Sequence, residues 1–134
     1  MTDDFGTDFA TELAAYFYDG DEITAPPAEA YVTLYDDAGN ELNTDLQNGR
    51  VSTGIPLDWE QGADPTIFEN GAEIDFGESL ADITVQEFAI KESDADDDTA
   101  LIYYRADVNG APLDFADGTR VFFEAGDLTV DILD

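Results

Sequence analysis

Asp82–Val108, DITVQEFAIKESDADDDTALIYYRADV, decides how the chain folds. Ile83, Val85, Phe88 and Ile90 lie on one arm, Leu101, Ile102, Tyr103 and Tyr104 on the other, and the acidic link Glu92–Asp98 separates them. Side chains on a strand alternate between faces, so these arms read as a long antiparallel hairpin rather than as helices. The apolar positions move from odd to even numbers between Val85 and Phe88. One extra residue near Gln86–Glu87 would restore pairing, which predicts a β-bulge there. Both arms then need a second layer over their apolar faces.

The flanking sequence supplies that layer as strands and turns. Upstream, Ala30–Tyr35 and Arg50–Ile55 read as strands, the first ended by the turn cluster Asp36-Asp37-Ala38-Gly39-Asn40. Trp59, Gly62 and Pro65 lie in a loop, and Asn70-Gly71 between Thr66–Phe68 and Ala72–Phe76 predicts a tight hairpin. Downstream, Asn109-Gly110 and Asp117-Gly118 mark turns, Arg120–Glu124 is a strand and Leu128–Leu133 is the last one. Before all of these, Phe9, Leu13, Tyr16 and Phe17 recur at helical spacing, with Thr7 or Asp8 as cap and Gly20 as stop. The expected architecture is a single domain over residues 1–134. It is mainly β, an antiparallel β-sandwich or partly closed barrel, with one short N-terminal helix over 7–20.

Composition adds an unusual constraint. Apolar residues make up 43 % of the 134, enough for a core, yet 33 Asp and Glu face only 4 Lys and Arg, a net charge of −29. Spread over a surface of roughly 7,000 Å², the acidic groups sit about 15 Å apart. The screening length is ~10 Å at 0.1 M salt and ~3 Å at 1 M, so their repulsion fades only in concentrated salt. That points to a halophile protein. The same charge argues against nucleic-acid and anionic-membrane partners. There is no cysteine, hence no thiolate nucleophile or cysteine metal site. MTDDFGTDF lacks the basic region and apolar core of a signal peptide, and a soluble protein is expected.

Enzymatic chemistry finds little support. No histidine is present, and Ser52, Ser79 and Ser93 lie outside any nucleophile-elbow context. Asp58-Trp59-Glu60 is the most tempting carboxylate pair for glycoside cleavage. In a chain this acidic, chance supplies roughly eight acid pairs at any fixed spacing, so the pair reads as an exposed loop with a packed Trp. No enzyme and no cofactor is expected. Asp94, Asp96 and Asp98 crowd one loop and are the residues a cation would use, but an EF-hand counted from Asp94 would put Thr99 and Arg105 where Gly and Glu are required. A solvated loop is the preferred reading. Arg50, Arg105 and Arg120 read as partners of carboxylates, either within the fold (the favoured reading) or across a subunit contact. Phe9, Leu13, Tyr16 and Phe17 put so much apolar surface on a short helix that it must dock, either on its own sheet (the favoured reading) or on a neighbouring subunit.

Four short segments occur in a telling order. Tyr31-Val32-Thr33-Leu34-Tyr35 follows the helix, and Ile83-Thr84-Val85-Gln86-Glu87-Phe88-Ala89-Ile90 has the form apolar-Thr-Val-x-x-Phe-x-Ile. Leu101–Tyr104 is an apolar-aromatic strand after an acidic turn, and Ala125-Gly126-Asp127-Leu128-Thr129-Val130 leads to the end. In this order they resemble the small β-rich virion proteins of tailed phages, described as tail or tail-fibre proteins. Ala81-Asp82 stands where those proteins often carry Trp-Gly, which leaves the subtype open. Joined to the salt argument, the resemblance implies a structural protein of a haloarchaeal tailed virus, located in the virion on the capsid surface or tail. Its partners would be copies of itself and other virion proteins, with a host-surface glycan held open. The competing class is a carbohydrate- or cation-binding β-sandwich module of a halophile, for which Trp59 and the Asp94–Asp98 loop are the discriminating features.

Overall fold

The computed structural model describes residues 7–23, 28–94 and 100–132. One helix, α1 (Thr7–Asp19), precedes strands β1 (Glu29–Tyr35), β2 (Arg50–Gly54), β3 (Trp59–Gln61), β4 (Ile67–Asn70), β5 (Ile74–Glu78) and β6 (Ile83–Val85). Then come β7 (Glu87–Lys91), β8 (Ile102–Asp107), β9 (Leu113–Phe115), β10 (Arg120–Phe123) and β11 (Thr129–Asp131). The largest sheet has the order β2-β1-β7-β8, and smaller antiparallel sheets β10-β5, β11-β4-β3 and β6-β9 complete a sandwich-like, mainly-β fold. Of the two expected forms, the described strands give the sandwich-like one, with no closed barrel. Val32, Leu34, Phe88 and Ile90 from the large sheet meet Ile74, Phe76, Val121, Phe123, Leu128 and Val130 in a single buried cluster.

The central hairpin forms, with β7 paired to β8 from Glu87↔Asp107 to Lys91↔Ile102. Its acidic link is tied at the root, where Glu92 and Leu101 bond by main chain and the Glu92 carboxylate also accepts from the Leu101 N–H. Asp96, Asp98 and Thr99 lie outside the described residues. The change of phase also occurs, but not as the expected bulge at Gln86–Glu87. Gln86 instead marks a change of partner: its N–H donates to the Tyr35 carbonyl and its carbonyl accepts from the Val108 N–H. Before it, Ile83 and Val85 pair with β9; after it, Phe88 and Ile90 pair with β1 and β8. The reason is reach, since β1 ends at Tyr35, opposite Glu87, and cannot cover Ile83 or Val85. The register irregularity of the hairpin falls on the other arm, where Ile90 faces Tyr104, Lys91 faces Ile102, and Tyr103 is the extra residue.

The second correction concerns Asn70-Gly71, which makes no hairpin: β4 pairs with β3 and β11, while β5 pairs with β10. Asn70 is fully buried. Its amide donates to the carbonyls of Ala72 and Glu124, and its side-chain oxygen accepts from the Leu128 N–H, each at 2.9 Å. A two-residue turn would have left that side chain in water. Here it stitches three backbone segments together, and buried backbone groups must be paired. Trp59, expected in a loop, begins β3.

Between β1 and β2 the chain keeps extending the large sheet. Tyr35 bridges Glu41 and the Leu42 N–H donates to the Leu34 carbonyl, after which Gln47 and Asn48 donate to the carbonyls of Glu78 and Phe76 on β5. This segment therefore links two sheets. At Gly49 it passes so close to the Asn43 carbonyl that a Cβ would collide with backbone.

Candidate functional site

The four apolar residues expected to dock the helix divide into two groups. Phe9 is 8 % exposed and meets Tyr103 and Tyr104 edge-on, with ring centroids 5.4 and 5.9 Å away. Leu13, four residues on, is partly buried against the same core. These two dock the helix on its own sheet, as the favoured reading expected. Tyr16 is more than half exposed, Tyr18 more so, and Phe17 is 91 % exposed. Positions 9, 13 and 17 share one helical stripe. Exposure rises along that stripe as α1 runs off the sheet, so the docking face is longer than its support. The helix ends at Asp19, followed by Gly20 with φ +71°, a conformation that costs glycine little.

Phe9 begins a chain of edge-to-face rings. Tyr104 meets Phe68 at 5.1 Å and Phe68 meets Trp59 at 5.7 Å, each pair steeply inclined. Such pairs contribute about 0.5–1.5 kcal/mol each beyond the area they bury. The Trp59 indole N–H donates to the Thr53 hydroxyl at 3.1 Å. Trp59 is therefore a packing residue whose ring is only partly open. Its neighbour Leu57 is 87 % exposed at the apex of a tight turn. There the Asp58 carboxylate caps the Gly54 N–H at 2.6 Å, and Asp58 and Trp59 donate back to Gly54 and Pro56. Asp58 is thus used by the turn, and Glu60 lies on β3 opposite Glu69. The sequence reading passed over Leu57, although a leucine between Pro56 and Asp58 in a turn was the available signal.

The outer face of the large sheet collects three of the four cations. Glu41, Tyr35, Glu87 and Asp107 form one row, Arg50, Thr33, Ala89 and Arg105 the next, and Ser52, Tyr31 and Lys91 the third. Arg50 grips Glu41 with two nitrogens, both at 2.7 Å, and spends a third on the Asp94 carbonyl. The Thr33 hydroxyl also donates to Glu41. Burial pushes the Glu41 carboxyl up, but the bonds from Arg50 and Thr33 and the charges of Lys91 and Arg50 outweigh it and hold the group below the usual range. Arg105 reaches Glu87 at 3.1 Å and stacks 3.8 Å above the Tyr35 ring. Burial, first of all, raises the Tyr35 hydroxyl. Small Thr33 and Ala89 lie beneath these long side chains and are completely buried. Arg120, the fourth cation, bonds Glu73 and Asp75 and lies over Phe122.

Two further places hold polar groups. A cleft of about 790 Å³ runs between β8 and the β11-β4 edge, with Glu69, Glu87, Asp107 and Asp131 on its walls beside Arg105 and Asn109. The cleft escaped the sequence reading because its residues are far apart in sequence and sit in unremarkable strands. Of the loop that could take a cation, Asp94 is exposed and gives its carbonyl to Arg50, while Asp96 and Asp98 lie outside the described residues. Among the described residues no group of three or more acidic or metal-binding side chains could hold a metal ion. No described helix is long and apolar enough to cross a membrane. Comparison with protein-family models and with curated proteins returned no match.

Proposed function

We propose that this chain is a structural component of a tailed-virus particle, acting by protein–protein assembly in concentrated salt on the capsid surface or the tail. The observation that carries the assembly reading is α1. Its first half is spent on the chain's own sheet, and its second half presents Tyr16, Phe17 and Tyr18 to solvent. An exposed aromatic cluster of this kind is a contact surface awaiting a partner, since monomeric surfaces seldom leave large rings together in water. Salt completes the argument: at −29, two such proteins repel one another until the charges are screened. The placement in a virus particle rests on the resemblance of the strand segments. Density-purified particles, probed by mass spectrometry and by antibody labelling in molar salt, should carry the chain at a fixed stoichiometry. Its absence from particles would refute the proposal.

A carbohydrate-binding module is favoured by one observation, the polar cleft between β8 and β11. Titration with neutral oligosaccharides, read as chemical-shift changes at Asp107 and Asn109, separates the two readings.

A further inference from the structure

We propose that the cleft between β8 and β11 takes an extended, basic segment of a different protein, which adds a strand between the two sheet edges. The direction of main-chain groups selects an extended peptide as the occupant. Along an antiparallel strand these groups turn alternately, residue by residue, to one neighbour and then the other. The Val108 N–H donates to the Gln86 carbonyl, so Ala106 turns to β7 as well. Arg105 and Asp107, between and before them, turn their N–H and C=O off the sheet. On the other wall the Leu128 carbonyl accepts from the Asn70 N–H, and the Ile132 N–H donates to the Thr66 carbonyl. Val130 therefore turns to β4, and Thr129 turns away from it. β8 and β11 are each the outermost strand of their sheets, and Arg105, Asp107 and Thr129 all line the cleft. Two strand edges thus face one gap. Beyond the end of β8 they are tied together, where the Thr129 hydroxyl donates to the Asn109 side-chain oxygen at 2.9 Å.

Size agrees with a strand. Strands lie about 4.8 Å apart in a sheet, sheets about 10 Å apart, and each residue advances about 3.4 Å, roughly 160 Å³ per residue. A cleft of about 790 Å³ then holds about five residues, an ordinary strand length. Strand addition takes its affinity from main-chain bonds and its specificity from alternate side chains. A sugar has no repeat that matches groups spaced along a strand. Charge decides which protein supplies the segment. Glu69, Glu87, Asp107 and Asp131 stand on the walls against Arg105, which already bonds Glu87 at 3.1 Å. Ala106 and Val130, alternating with the wall residues, are buried in the core. The matching strand carries lysine or arginine at alternate positions, with apolar residues between them. A second copy of this chain cannot supply it. Arg50, Lys91, Arg105 and Arg120 are its only cations, no short run holds two of them, and each lies in a strand already paired. The acids that admit a basic strand also keep the edges of other copies away, a common protection of open edges. Molar salt leaves such pairs in place, because contact at about 2.8 Å lies inside a screening length of ~3 Å. No residue of α1 lines the cleft, so this partner is additional to any that α1 contacts.

A capped peptide of alternating lysine and valine, about seven residues long, tests the cleft by hydrogen-exchange NMR on the full chain in ~1 M KCl. At about ten times its Kd, it should slow exchange of the Arg105, Asp107 and Thr129 amides about tenfold. The same peptide methylated on every second main-chain nitrogen keeps its charge but presents methyl groups to one edge, and should protect none of these amides. Asp107→Lys should weaken binding of the lysine peptide about fivefold. Asp117→Lys, an equal charge change in a turn outside the cleft, should leave binding unaltered. Absence of protection by the lysine peptide, equal protection by the methylated one, or equal binding of a glutamate–valine peptide would each overturn the proposal. Tighter binding of a neutral oligosaccharide at Asp107 and Asn109 than of the lysine peptide would overturn it too, in favour of the sugar-binding reading.

Discussion

Asn70 should be the most costly polar residue in the molecule to replace. Its side chain makes three 2.9 Å bonds to backbone groups on the segments around Ala72, Glu124 and Leu128. Asn70→Ala strands the Leu128 N–H in a fully buried site, a penalty of about 1–3 kcal/mol. The carbonyls of Ala72 and Glu124 sit nearer water and can rehydrate, so each adds only about 0.5–1.5 kcal/mol. With the small cavity left behind, the total comes to about 3–4 kcal/mol, or roughly 10–15 °C in Tm for a chain of this size. Asn70→Asp keeps the acceptor for Leu128 but turns a carboxylate oxygen toward two carbonyls, so its folded pKa must rise above the unfolded value near ~3.9. A raised carboxyl pKa means the folded state holds its proton longer. The variant should therefore lose stability relative to the natural chain as pH climbs above ~4, by up to ~1.4 kcal/mol per unit, until the folded pKa is passed. Thermal unfolding by circular dichroism in molar KCl, from pH 4 to pH 8, measures both. A loss below about 1 kcal/mol for Asn70→Ala, or a flat pH profile for Asn70→Asp, would refute the role assigned to this residue.

Salt should control folding as a whole: dilution from molar to ~0.05 M KCl lengthens screening beyond ~10 Å and should lower Tm and then unfold the chain, an unchanged Tm being the contrary result. Glu41→Gln should cost about 1.5–3 kcal/mol at pH 7, where the natural carboxylate meets Arg50 twice. Because Glu41 has a depressed folded pKa, its contribution is present above the ordinary Glu value and lost as pH falls through the folded one, so the gap between variant and natural chain should close in acid. The Tyr103 hydroxyl is buried and finds no hydrogen-bond partner among the described residues, so Tyr103→Phe should raise stability by about 1 kcal/mol in the same unfolding assay.

Much of the fold was legible because strand periodicity is a local signal. The β1, β2, β7, β8 and β10 segments and α1 could be read from alternation, spacing and stop residues alone. What escaped was partner choice. Gln86 and Asn70 look like a bulge and a turn in one dimension, yet both are places where the chain leaves one sheet for another. That depends on which distant segment offers the free carbonyl or N–H. The arginines were legible as carboxylate partners, since so few cations among so many acids leave little choice. The gathering of Arg50 and Arg105 with Lys91 on one face was not, because strands β1, β2, β7 and β8 reach that face from three parts of the chain. For the helix, sequence showed more apolar surface than a lone helix needs. Only the sheet's extent showed where Phe9 and Leu13 end their contact and Phe17 begins to overhang.

The chain of rings from Phe9 to Trp59 also gives the molecule an optical reporter of its own. Trp59 is the only tryptophan, and its edge lies on Phe68, which touches Tyr104, which touches the helix through Phe9. Its emission colour records how dry that seam is, and ultraviolet light absorbed by Tyr104 can reach it by energy transfer over so short a path. Loosening of β3, β4, β8 or α1 alters the same signal, so one fluorophore present in the natural sequence follows the packing of helix on sheet and of sheet on sheet together.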